Sequence, residues 1–124
     1  MRLSEQFRPW PSVSPKWWVN NPGHVIIIPV PHVENLYDLP DSLAVPLLGA
    51  VRRAALALKA AYRCAGTSVR QHNEPAGNQD VWHLHVHVFP RYDGDGLYGS
   101  PSRPAGLGEM DDFAARLRPA YLTL

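Results

Sequence analysis

Val81-Trp82-His83-Leu84-His85-Val86-His87-Val88-Phe89-Pro90 is the stretch on which both fold and chemistry turn. Imidazole and aliphatic side chains alternate without exception from His83 to Val88. A period of two is the mark of a β-strand with two unlike faces. The spacing predicts a strand over 81–89, ended by Pro90, which has no N–H to give a ladder. Leu84, Val86 and Val88 then point into a core, while His83, His85 and His87 share the other face at intervals of about 6.5–7 Å. That spacing is too long for hydrogen bonds between all three rings, but it suits three rings bracketing one substrate group. A phosphate, with its several oxygens, is such a group. A plain polar face explains one histidine more easily than three. A metal site is the sharper rival, since histidines at i, i+2 on a strand are common zinc ligands. Tetrahedral zinc, however, needs its ligands within about 2.1 Å of one point, which a flat strand rarely offers to three successive same-face residues.

Upstream, Gly23 leads into His24-Val25-Ile26-Ile27-Ile28-Pro29, a β-branched run that reads as a strand buried on both faces, with Pro29 and Pro31 ending it. Residues 32–40 read as a turn or short helix. Asp41 or Ser42 can cap a long helix that runs to about Ala65 and is stopped by Gly66. Its Leu47, Leu48, Val51, Ala54, Ala55, Leu58, Ala61 and Tyr62 recur at the helical period, and Pro46 is expected to delay or kink the first turn. Thr67–Gln71 reads as another strand, and 73–78 has the turn chemistry of a short connection. Downstream, 92–108 is a Gly- and Pro-containing loop, and Glu109–Leu117 is a short last helix within a tail at 109–124. Residues 1–23, rich in Pro and Trp, are expected to be irregular and to wrap over the core. The fold class is therefore α+β: one domain over 1–124, with an antiparallel sheet, a long helix packed on one face and a short C-terminal helix.

Bulk properties narrow the function. At 124 residues with 45% hydrophobic and 19% charged positions, the chain supports one modest core. A net charge of +1, with Lys and Arg scattered, gives no basic face for nucleic acid. The single cysteine, Cys64, excludes an internal disulfide and any Cys-based zinc finger, and reads as a small buried side chain. Arg2, Glu5 and Arg8 leave no apolar leader at the N-terminus, and the longest apolar run, Val25 to Val30, is too short for a bilayer. A cytoplasmic protein without membrane partners is expected.

Gly-His-Val-Ile-Ile-Ile-Pro at 23–29 resembles the glycine–histidine strand of the histidine triad (HIT) family. Asn-Gln-Asp-Val-Trp-His-Leu-His-Val-His-Val-Phe-Pro-Arg at 78–91 resembles that family's signature of three histidines alternating with apolar residues, with its preceding Gln. The resemblance covers roughly 17–97. It implies a HIT-like sheet and a nucleotide hydrolase acting at the α-phosphate of a dinucleoside polyphosphate or nucleoside phosphoramidate. His85 would attack phosphorus and carry the nucleotidyl group, His87 would donate to the phosphoryl oxygens, and His83 and His24 would fix ring orientation. Gln79 would lie near the phosphate or leaving group, Asn73 (or His72) on the leaving side, and Asn20 or Asn21 near the ribose. Turn capping by the Asn-Pro pair is an equal reading of the last two. Trp17 and Trp18 suit either stacking on a base or plugging the core, and Arg91 either a phosphate or nothing. A histidine, not a glutamine, in the third triad position points to the hydrolase branches. No cofactor is required, although a divalent cation can arrive with substrate, and a homodimer is expected; the apolar stripe of helix 42–65 suits either its interface or burial against the sheet. Relatives carry further strands before the matched segment, whereas residues 1–16 here look unlike them. The rivals are a nucleotide-binding module without turnover and a metal-dependent hydrolase holding its ion on the three histidines.

Overall fold

The β-branched run at 25–27 and the alternating run at 86–91 pair as the two central strands of the fold. In the computed structural model, which describes residues 12–124, the elements follow in the order β1 (Ser12–Val13), β2 (Lys16–Trp18), β3 (Val25–Ile27), α1 (Asp41–Tyr62), β4 (Gly66–Arg70), β5 (Val86–Arg91), β6 (Ser102–Pro104) and α2 (Glu109–Leu122). Single 3-10 turns lie at Leu36–Asp38, Pro75–Gly77 and Leu97–Gly99. The main sheet has the order β1-β3-β5-β4, every pair antiparallel, and β2 and β6 form a separate antiparallel ribbon. This is the expected α+β architecture.

One face of the sheet is aliphatic because of register. Val25 stands opposite Val88 and Ile27 opposite Val86, and all four are buried. Helix α1 covers that face with Leu43, Leu47, Val51, Ala54 and Leu58, spaced by four, four, three and four residues along one stripe. Helix α2 closes the same core with Phe113, Leu117 and Tyr121. Full burial of each Leu or Val on these stripes contributes about 1.5–3 kcal/mol.

Several boundaries differ from expectation for local reasons. Pro40 occupies the N-cap with no side-chain bond, so Asp41 lies inside the first turn, where its carboxylate meets the positive end of the helix. Pro46 therefore does not delay the helix start. The helix ends at Tyr62 because Arg63 turns left-handed (φ 48°) and donates its N–H to Lys59 O, while Lys59 Nζ ties Cys64 O. Cys64 can then drop into the core, and Gly66 opens β4 instead of stopping the helix. Leu48, expected on the buried stripe, is 69% exposed, because it lies about 100° round from Leu47.

Residues 12–23 are more regular than expected; residues 1–11 lie outside the described part. Two residues of β1 pair with β3, and Lys16–Trp18 pairs with β6 of the 92–108 segment, expected to be a loop. The tryptophans drive this, since Trp17 packs edge-on against Phe113 in the core and Trp18 edge-on against Phe89 on the other face. Gly23 (φ +83°) sits where a Cβ would overlap the Phe113 ring, so the turn into β3 demands glycine. Helix α2 runs past Leu117 to Leu122, because Tyr121 continues its buried stripe.

Candidate active site

The sheet face opposite the helices carries the histidines. His87 lies on β5, paired with Ile26 of β3 on one side and Arg70 of β4 on the other. His83 and His85 fall before β5, which begins at Val86 and not at 81. Over 81–85 the chain leaves the regular ladder, and Leu84 N–H donates to Val33 O at 2.6 Å. The alternation of burial nevertheless persists, with Leu84, Val86 and Val88 buried and the three histidines half-buried. The His85 and His87 ring centroids lie 4.8 Å apart, edge to face, nearer than the spacing of about 6.5–7 Å between successive same-face positions of a regular strand.

Hydrogen bonds fix two ring tautomers, because a carbonyl can only accept. His83 Nε2 lies 3.0 Å from Pro29 O and must carry its proton there. His85 Nδ1 lies 2.8 Å from His83 O and likewise must be the protonated nitrogen. In neutral His85 this leaves Nε2 with a free lone pair. His87 Nδ1 faces His24 Nε2 at 3.1 Å, so one hydrogen is shared between these rings.

Both members of that pair are held neutral at pH 7. Burial lowers the His24 pKa to about 3, with repulsion from His87, Arg70 and Lys16 adding to it. Burial also lowers His87 to about 4, assisted by His85, Arg70 and His72 and opposed by Asp80. His24 is stacked on Phe89 with centroids 4.2 Å apart.

Other expected residues are placed as follows. Gln79 is buried, and its amide spans three backbone groups: Nε2 donates to Glu34 O (2.7 Å) and Val81 O (3.1 Å), and Oε1 accepts from Glu74 N–H (2.8 Å). Asn73 Oδ1 accepts from Leu36 N–H (2.9 Å) and Gln71 Nε2 (2.8 Å). Together they knit 33–37, 73–74 and 79–84 into one rim beside the triad. Asn20 and Asn21 donate to the end of β5 and the turn after it, Asn20 to Asp95 O and Asn21 to Pro90 O and Asp95 Oδ2. Arg91 makes a two-pronged ion pair with Asp95, whose carboxyl it holds well below the usual range.

His32 and Arg70, and the place of His72 beside His87, were missed by sequence reasoning. The His32 ring meets His83 edge-on at 5.1 Å, and His72 stands 6.4 Å from His87 with Nδ1 on Gly77 O. All six histidines of the chain thus belong to one connected group. For His32 the signal was the count of histidines alone, since nothing in its spacing announces the contact with His83. Among the described residues no three His, Cys, Asp or Glu side chains converge as a metal cage requires.

Comparison with known proteins agrees with this geometry. The family model described as HIT domain matches residues 19–94. An AP-4-A phosphorylase of Mycobacterium tuberculosis is 37% identical over 76 residues, covering 60% of this chain and 39% of that protein. A bis(5'-adenosyl)-triphosphatase of Saccharomyces cerevisiae is 32% identical over 106 residues, covering 82% of this chain and 51% of that protein. The chain spans about half the length of the curated relatives it matches. Among solved structures, a HIT-like protein of Bartonella henselae superposes with a TM-score of 0.73 at 34% identity, over 78% of this chain and 70% of that one. With the family model covering His24 and the whole triad, and a solved relative sharing the sheet that carries them, this chain belongs to the HIT family.

Proposed function

We propose that this protein transfers a nucleotidyl group from a nucleotide conjugate through a covalent intermediate on His85. One observation carries the reading: His83 O holds the His85 Nδ1 proton at 2.8 Å and frees Nε2 as a nucleophile next to a neutral His87. Neutral imidazole is a competent nucleophile near pH 7. His85 Nε2 forms a bond to the α-phosphorus, and the bond from phosphorus to the leaving group breaks. If His24 Nε2–H donates to His87 Nδ1, the His87 proton resides on Nε2, where it donates to a phosphoryl oxygen as charge develops. His83 and His24 are positioning residues. Gln79 and Asn73 set the rim on which the leaving side rests. Water then attacks phosphorus, the P–N bond breaks with its electron pair returning to His85, and a nucleoside monophosphate is released.

Two matched relatives bear the names of a phosphorylase and a triphosphatase. The His85 adduct is common to both reactions, and the acceptor, phosphate or water, separates them. The third triad position, His87, supports hydrolysis. The substrates that suit the site are dinucleoside polyphosphates and nucleoside phosphoramidates. The expected assembly is a homodimer.

Intact-mass analysis after brief incubation with diadenosine polyphosphate or adenosine phosphoramidate tests the mechanism. We expect a gain of one adenylyl group that is absent in His85→Ala, with kcat reduced about 10³-fold or more. Bound nucleotide without adduct or product would instead establish a binding module. Loss of activity to chelator, with stoichiometric zinc in the purified protein, would establish the metal-dependent rival. Product analysis with and without inorganic phosphate identifies the acceptor.

A further inference from the structure

Two arginines flank Tyr98 on the histidine face, and they are treated differently. Arg91, 4.9 Å from that ring, is neutralised by Asp95 and also donates to Ser68 Oγ at 2.9 Å. The Arg70 guanidinium lies 5.1 Å from the Tyr98 ring, 4.5 Å from that of Phe89 and 5.7 Å from that of Trp18. It has no carboxylate partner among the described residues, and its Nε is buried without an acceptor. A part-buried cation is normally paired. Arg70 instead sits in an aromatic cradle that holds its charge in place without cancelling it.

Its location is also specific. Arg70 is the cross-strand partner of His87. Its charge acts on both His24 and His87, and Lys16, on His24, is the one other Lys or Arg that acts on the pair among the described residues. Residues 71–90, which supply the triad and most of the rim, contain no Lys or Arg. The guanidinium rests over Phe89, two residues along β5 from His87, an offset of about 6.5–7 Å along the strand. An anion held there is displaced from the phosphorus next to His85 and still within reach of the same phosphate chain.

We infer that Arg70 is a binding residue for a phosphate of the substrate other than the one attacked by His85. The inference rests on the nucleotide reading of this site. It makes the preferred substrate a conjugate with at least one further phosphate, in which the guanidinium fork takes two phosphoryl oxygens. Arg70 acts here as an electrostatic anchor, and no bond to it forms or breaks.

Calorimetric titration of AMP, ADP and ATP into the His85→Ala protein, with and without a second substitution at Arg70, tests this. Arg70→Gln is expected to weaken ADP and ATP binding about 10-fold or more and to leave AMP binding unchanged. Arg70→Lys should restore part of the loss, since it keeps charge without the fork. Arg70→Met keeps the apolar stem against Trp18 and Phe89, and it should behave as Arg70→Gln. An equal loss for AMP, ADP and ATP would overturn the inference, as would full ATP affinity in Arg70→Met. Near-UV circular dichroism of each variant confirms that the aromatic cradle persists. Failure to form an adenylyl adduct in the wild type bears on the His85 mechanism alone, because these titrations use a protein without the nucleophile.

Discussion

The neutral His24–His87 pair makes the protein sensitive to acid. In the unfolded chain both imidazoles titrate near 6.5, whereas in the folded protein they titrate at about 3 and about 4. Between these limits the unfolded state binds more protons, so stability rises with pH across that window and is lost as pH falls from 6.5 toward 4. The melting temperature should therefore drop as pH is lowered from 7 to 4. His24→Asn, which removes one of the two protons at issue, should make that decline shallower, as thermal melts at half-unit pH intervals would show. An equally steep decline in the variant would place the acid sensitivity elsewhere.

At the scale of elements, the rim loop between β4 and β5 stores strain. Glu74 has φ 65° and ψ 163°, a conformation essentially reserved for glycine. It is held there from both ends: Glu74 N–H donates to Gln79 Oε1, and Glu74 O accepts from Gly77 N–H and Gln79 N–H. The exposed Glu74 side chain adds a 3.2 Å bond from Tyr37 OH. Glu74→Gly is expected to relieve the strain and stabilise the fold by about 1 kcal/mol, measured as a higher urea midpoint at unchanged m-value. A lower midpoint would mean that the Tyr37 contact outweighs the backbone strain. Gln79 is then understood as the brace of this loop.

For the whole molecule, helix α1 has a second stripe that the core does not use. Val45, Leu48 and Leu56 share one face with Arg52, and they are 80%, 69% and 47% exposed. The primary stripe is spent on the sheet and on α2, so the homodimer we propose would use this second one. A stable interface needs about 800 Å² from each protomer. Light scattering should give a dimer mass for the wild type and a monomer mass for Leu48→Arg, which changes no buried residue. A monomeric wild type would remove the proposed assembly. No helix among the described residues is long and apolar enough to cross a membrane.

The sequence by itself determined whatever depends on short-range pattern. The alternation His83 to Val88 specified two unlike strand faces, the run His24–Ile28 a buried partner strand, and the period of 47–62 a long helix with one apolar stripe. It also specified the HIT resemblance, and with it the candidate nucleophile His85. Tertiary structure alone decided the matters that depend on side chains far apart in the chain. It joined His32 to the triad, turned Gln79 and Asn73 toward backbone groups of the rim, and divided Trp17 from Trp18 between the two faces of the sheet. It set Arg70 beside His87 without a counter-ion among the described residues, which no local spacing announces. It also ended α1 at Tyr62, where Arg63 turns left-handed and Cys64 is buried. Periodicity reports which face a residue occupies, whereas partners and charge balance arise only when strands from 24, 70 and 87 meet.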